Sequence, residues 1–186
     1  MGRLIDPESV EFQQDSELYI RRAAPLSLGY FGVDEEIAAQ TFLPDGAIAT
    51  GDFGLLDEDG FLTLLGRRKD LIALGSGRKV HPAEIEALFA GAPGIAELVV
   101  VPGPRGSVLG ALVTPDLAGD EELRGRVAER IREVNAGLEP YRRIVSVVFR
   151  EQPLGADRAF LTANMKLSRP AATAHFAERA ADAVAL

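Results

Sequence analysis

The chain has 186 residues, 47% of them hydrophobic and 26% charged, which suits one domain or two small ones sharing a boundary. Lys and Arg number 20 against 28 Asp and Glu, and the net charge of −8 disfavours nucleic acid and anionic membranes as non-specific partners. There is no Cys, which excludes disulfides and thiolate metal sites, and the two His, His81 and His175, are too few for a His-rich zinc site.

No apolar run approaches the ~20 residues of a membrane span. The opening Met1-Gly2-Arg3-Leu4-Ile5-Asp6-Pro7 lacks the apolar stretch of a signal peptide, so a cytoplasmic location is expected. Up to about Leu65 the chain reads as strands and turns. Glu17-Leu18-Tyr19-Ile20-Arg21, Ala47-Ile48-Ala49-Thr50 and Phe61-Leu62-Thr63-Leu64-Leu65 have β-favouring composition. Asp57-Glu58-Asp59-Gly60 and Pro44-Asp45-Gly46 are turn signals, because glycine supplies the backbone conformation that a tight turn needs. After Gly66 the pattern becomes mixed. Leu71-Ile72-Ala73-Leu74 is a short strand, and Gly75-Ser76-Gly77 a turn. Pro82 opens a helix carrying Ile85, Leu88 and Phe89 on one face, ended by Gly91 and Pro93. Leu98-Val99-Val100-Val101 and residues 109–114 read as an antiparallel pair around Pro102-Gly103-Pro104. Residues 121–136 form an amphipathic helix with Leu123, Val127, Ile131 and Val134 inward, 144–149 a strand, and the Ala-rich 169–184 a final helix. This order describes an α+β fold: a β-rich segment, residues 1–66, followed by a small α+β domain, residues 67–186, with a central antiparallel sheet flanked by helices.

Three segments carry candidate chemistry. Asp52, in Thr50-Gly51-Asp52, could accept from vicinal hydroxyls such as those of a ribose, or be a turn carboxylate. In Gly66-Arg67-Arg68-Lys69, the arginines could meet phosphate or ribose oxygens, or be solvated surface. Gly75-Ser76-Gly77-Arg78-Lys79 allows close approach of backbone to a ligand, or is simply a hairpin. Lys166, in Leu161-Thr162-Ala163-Asn164-Met165-Lys166-Leu167-Ser168-Arg169, could place a point charge on a developing anion, or be a solvent lysine. His81 beside Pro82 suits packing and capping, and His175 reads as surface.

Together, their order and spacing resemble the C-terminal part of the adenylate-forming enzyme superfamily, which includes acyl-CoA synthetases, peptide-synthetase adenylation domains and luciferases. Gly2-Arg3-Leu4, Ser16 to Arg21 and Gly29-Tyr30-Phe31 resemble the stretch before the family's Thr-Gly-Asp motif. Asp45-Gly46, Thr50-Gly51-Asp52, Asp57, Asp59-Gly60 and Gly66-Arg67 follow in family order. Pro82, Glu84, Ile85 and Glu86 match its Pro-x-Glu-Ile-Glu. Leu161-Thr162 and Lys166 through Arg169 match its C-terminal lysine motif. The resemblance covers essentially the whole chain.

It implies that residues 1–66 belong to the β-barrel subdomain of a large adenylation domain and that 67–186 form its mobile C-terminal lid. It implies ribose contacts for Asp52 and Arg67, a hinge at Lys69, and a lysine, Lys166, that bridges acyl carboxylate and α-phosphate during adenylation. After lid rotation the loop with Gly75, Gly77, Arg78 and Lys79 would border the CoA or pantetheine channel. The implied cofactors of the full enzyme are ATP, Mg and CoA or carrier-protein phosphopantetheine; no resident metal is implied. Its partners would be a small carboxylic acid and the N-terminal adenylation domain, in cis or in trans. Met165 stands where the family usually has Gly, and the 75–79 loop looks one residue longer than in short-chain members. Both features resemble the fatty acyl branch, so a fatty acid substrate is expected.

No Ser/Thr/Gly-rich phosphate loop ending in Lys occurs in the sequence, so this chain is not expected to make an adenylate alone. Gly103-Pro104-Arg105-Gly106-Ser107 reads as a hairpin turn. The expected function is the C-terminal portion of an ATP-dependent acyl-CoA or acyl-carrier-protein ligase. The alternatives are a split-ligase subunit or binding module acting in trans, and a purely structural α+β domain. The β-rich segment should expose apolar surface that the rest of such an enzyme would cover.

Overall fold

The structure is a computed structural model that describes residues 2–13, 15–21, 29–117 and 119–186. It divides into two compact units, Met1–Asp70 and Leu71–Leu186. Residues 22–28, part of the stretch read as strands and turns, lie outside the described residues.

The first unit is an antiparallel sheet of five strands: β1 (Gly2–Arg3), β2 (Val10–Phe12), β3 (Glu17–Ile20), β4 (Ile48–Leu56) and β5 (Phe61–Arg67), in the order β1-β5-β4-β3-β2. A short helix absent from the sequence reading, α1 (Glu35–Ala39), lies between β3 and β4 along the chain. The β4–β5 turn forms as its composition dictates. Asp57 Oδ1 accepts from the amides of Asp59 and Phe61 at 3.1 and 2.8 Å, and Gly60 takes φ 80°. Leu18, Ala47, Ala49 and Phe53 are buried, while Leu55, Leu56, Phe61 and Leu64 of the same hairpin are exposed.

The second unit is built on a four-stranded sheet, order β11-β10-β9-β8: β8 (Ile95–Pro102), β9 (Leu109–Pro115), β10 (Ile144–Phe149) and β11 (Val184–Ala185). A small hairpin, β6 (Ile72–Ala73) and β7 (Lys79–Val80), precedes it. The helices are α2 (Pro82–Ala87), α3 (Glu121–Ala136) and α4 (Arg169–Glu178). β8 and β9 pair antiparallel around the 103–107 turn, as the sequence suggests. β9 and β10 pair parallel, because α3 carries the chain back across the sheet between them.

Alternation sends the two sides of each strand into different cores. Val100, Ala111, Val113 and Val147 face Ile85, Leu123, Val127 and Ile131 of α2 and α3. Val99, Val101, Leu112 and Val148 face Leu154, Phe160, Ala172 and Phe176 on the α4 side. β9 is buried at every position, which explains its nearly unbroken apolar sequence. Gly110 is obligatory there: any Cβ would overlap the ring of Phe176.

α3 has the predicted bounds, with Asp120 Oδ1 capping Leu123 N at 2.9 Å. At its other end Asn135 holds both backbone groups of Ile144, donating at 2.7 Å and accepting at 3.0 Å. The Ala-rich tail is not one helix. α4 stops at Glu178, a 3-10 turn covers Ala180–Asp182, and Val184–Ala185 joins the edge of β10. Sheet pairing overrides alanine's helix preference there. His81 sits at the N-cap of α2 with no side-chain cap bond, contrary to the capping role read from the sequence.

Candidate functional site

In the first unit, Thr50-Gly51-Asp52 forms a bulge. Glu17 pairs with Phe53 and Tyr19 with Ala49, so three residues of β4 stand opposite Leu18 alone. Gly51 takes φ 71°. Thr50 Oγ1 donates to the Leu18 carbonyl at 2.7 Å and accepts from Asp52 N at 3.1 Å. The bulge sets Asp52 opposite Arg67 on β5, where Oδ1 accepts from Arg67 Nε at 2.7 Å. Asp52 is half-buried, and its second oxygen takes no protein partner among the described residues. Arg68 reaches the buried carboxylate of Glu17 at 3.4 Å. Lys69 is exposed in the 3-10 turn Arg68–Asp70, at the end of this unit.

In the second unit, Gly75, Gly77 and Arg78 lie in the β6–β7 turn and Lys79 opens β7. Gly77 takes φ 80° and donates to Leu74 O at 2.8 Å, while Gly75 N donates to Gly106 O at 3.0 Å. Arg78 and Lys79 are exposed. The Arg78 guanidinium lies 5.1 Å from the ring centre of Tyr141, whose hydroxyl pKa is raised by a hydrogen bond with Glu139.

Lys166 stands on a tight hairpin. Thr162 N donates to Lys166 O at 2.8 Å, Met165 N to Thr162 O at 3.0 Å, and Lys166 N to Thr162 Oγ1 at 3.2 Å. Met165, at φ 59°, occupies the left-handed region that glycine would take without strain. Its sulfur accepts from Arg158 Nη1 at 2.8 Å. Lys166 is exposed and pairs with no carboxylate among the described residues. Three residues on, Arg169 forks onto Glu86 at 2.7 and 3.2 Å and onto the Val100 carbonyl at 2.6 Å. Glu86 also accepts from Val100 N at 2.8 Å.

The model of the AMP-binding enzyme C-terminal domain matches residues 69–184. The chain belongs to this family. The chain has a relative in the long-chain-fatty-acid–CoA ligase FadD15 of Mycobacterium tuberculosis, at 32% identity across 95% of this chain and 32% of that protein. It is 41% identical to the fatty acid–[acyl-carrier-protein] ligase ScoC of Streptomyces coeruleorubidus over 55% of this chain and 20% of ScoC. The chain therefore spans about a third or less of the length of these curated relatives.

Among solved structures, the A-PCP didomain of the carboxylic acid reductase of Segniliparus rugosus, in complex with AMP, matches with a TM-score of 0.70 and 26% identity. That match covers 95% of this chain and 26% of that one. The A domain of that reductase, at 24% identity and a TM-score of 0.73, shares the fold, with 95% of this chain and 30% of that one covered. The chain is thus a mixed α/β member of the adenylate-forming superfamily. Among its described residues no helix is long and apolar enough to cross a membrane.

Asp52 and Arg67 meet in one unit; Lys166 and the 75–79 turn belong to elements on opposite faces of the other unit's sheet. Glu86 and Arg169 are both motif residues, but the 83 positions between them hide their pairing from the sequence. His175 reads as surface from the sequence, with no partner nearby along the chain. The ring is part-buried, edge-on to Phe160 at 5.3 Å, with Nε2 3.0 Å from Arg150 Nη1. Burial, then the Arg150 charge, lower its pKa below 6.5.

Proposed function

We propose that this chain is the C-terminal portion of an ATP-dependent acyl-CoA or acyl-carrier-protein ligase that works through an acyl-adenylate, with a fatty acid as its acid substrate. The observation that carries the reading is Lys166: an ammonium without a carboxylate partner among the described residues, on a hairpin closed by three hydrogen bonds. Such a group is held in position and free to meet an anion. Attack of a carboxylate on the α-phosphate gathers negative charge on phosphate oxygens, and a nearby ammonium stabilises it. Asp52 offers its second oxygen to ribose hydroxyls, with Arg67 orienting the carboxylate. Lys69 serves as the hinge residue, and Gly75, Gly77, Arg78 and Lys79 approach the thiol-bearing cosubstrate, CoA or phosphopantetheine. Mg enters with ATP. The fatty acyl assignment rests on Met165, on the length of the 75–79 loop and on the names of FadD15 and ScoC.

The phosphate loop and acyl pocket would come from an N-terminal adenylation region, in the same polypeptide or in trans. Co-expression of this chain with such a region, followed by a screen of fatty acids for ATP–pyrophosphate exchange, tests the reading. Exchange should require both parts. In the active assembly Lys166→Ala should abolish exchange while sparing thioester formation from supplied acyl-adenylate. Equal loss of both half-reactions, or exchange by this chain alone, would refute it.

A further inference from the structure

A groove of about 690 Å³ in the second unit lies among α3, the end of β10 and the C-terminal end of α4. It has the size of a small-molecule site. Along α4, His175 is the first residue to line it, roughly 9 Å of helix axis from Arg169 behind the Lys166 hairpin. None of the residues assigned above lines it.

Gly125 lines the groove from the interior of α3, where glycine is less stable than alanine. Neither backbone nor packing asks for it. Its φ is not left-handed, and an added Cβ would meet nothing within 4 Å. Gly125 is exposed, and the space a side chain would take beside the groove is unfilled.

Arginines gather around this opening on a chain of net charge −8. Arg150 has no carboxylate partner among the described residues. Its guanidinium lies 4.4 Å from the ring centre of Phe160, with Nη1 against His175 Nε2 and Nε 3.3 Å from Gln152 O. Arginine only donates, so Nε2 is the acceptor and His175 is neutral in this arrangement. Arg124 pairs with Glu121 at 2.6 Å and lies 5.7 Å from the Phe149 ring centre; its Nε is sealed from solvent, so its terminal nitrogens are what it presents to the groove. Arg132 pairs with Glu129 and Arg179 with Asp182. Three carboxylates line the groove as well: Glu121 and Asp182, each paired with one of its arginines, and Glu151. Two arginines thus retain donor capacity beside a space that a helix leaves empty at the expense of its own stability.

We propose that this groove binds a small phosphorylated ligand, whose phosphoryl oxygens accept from Arg150 and Arg124 in the space Gly125 leaves. Guanidinium forks match phosphate geometry. The test titrates the 186-residue protein with inorganic pyrophosphate while NMR follows the arginine Nε–Hε signals and the His175 ring. Saturable shifts are expected at Arg124 and Arg150, with Arg105 on the β8–β9 turn unmoved. Gly125→Gln should raise the melting temperature and weaken binding about tenfold or more. Arg150→Gln should abolish saturation, and Arg105→Gln should leave it intact. Linear, unsaturated shifts, equal responses at Arg105, or wild-type affinity in Gly125→Gln would each overturn the proposal.

Discussion

Arg169 grips Glu86 with both terminal nitrogens, and between them they bind the amide and carbonyl of Val100 on the edge strand β8. Arg169 is the first residue of α4, where a helix dipole disfavours a cation, so the pair itself is what holds arginine there. α2 follows the 75–79 turn and α4 follows the Lys166 hairpin. One ion pair therefore fastens the elements behind both segments to the same strand. It also occupies edge-strand backbone groups that another chain could otherwise pair with.

Glu86→Gln removes one partner of a mostly buried pair, and should lower unfolding free energy in urea by about 3 kcal/mol. Amide exchange at Thr162 and Lys166, which close the hairpin, should accelerate with it. Arg169→Lys keeps the charge but lacks the fork, and should loosen the same amides. Unchanged exchange in both variants would show that the hairpin is held by other contacts.

Met165 bears a left-handed backbone that glycine would adopt freely. Met165→Gly should relieve strain worth about 1 kcal/mol, less whatever the Arg158–sulfur contact contributes. Thermal melting of Met165→Gly and Arg158→Ala separates the two contributions. Destabilisation by Met165→Gly as large as that by Arg158→Ala would mean that the contact outweighs the strain.

His175 has a depressed pKa in the folded chain, so near that range the unfolded chain binds more protons and stability rises with pH. Its contribution is complete above about pH 6.5 and falls as the pH drops toward the folded-state value. Protonation also removes the acceptor used by Arg150. His175→Gln should flatten the chemical-denaturation profile between about pH 5 and pH 7. An identical slope in both proteins would assign the pH dependence to other groups.

Gly110→Ala forces a methyl group into the Phe176 ring and should cost about 1 to 3 kcal/mol. Adding Phe176→Leu should recover part of the loss. Urea unfolding of the two single variants and the double variant measures the coupling, and strict additivity would deny the contact.

Local chemistry made much of this molecule readable in advance. The bounds of α3 follow from Asp120 and from the spacing of Leu123, Val127 and Ile131, and the β8–β9 hairpin from two apolar runs around Gly103-Pro104. What depends on distant pairing was not readable. Val184 looks helical until β10 presents an open edge, and His175 looks solitary until Phe160 and Arg150 arrive beside it. At the candidate site, Thr50-Gly51-Asp52 is visible as a motif, but the bulge that turns Asp52 toward Arg67 depends on the register of β3.

The parallel pairing of β9 with β10 sets an order of assembly. β8 and β9 can zip together across a short turn, whereas β10 must wait until the intervening segment with α3 has closed a long loop. β11 can join only after β10 is present. α4 packs mainly on β8 and β9, the pair with the shortest loop to close. The core on the α4 side takes Val148 from β10 as well as Val99, Val101 and Leu112 from the early pair, so the platform beneath Lys166 is complete only once β10 has docked.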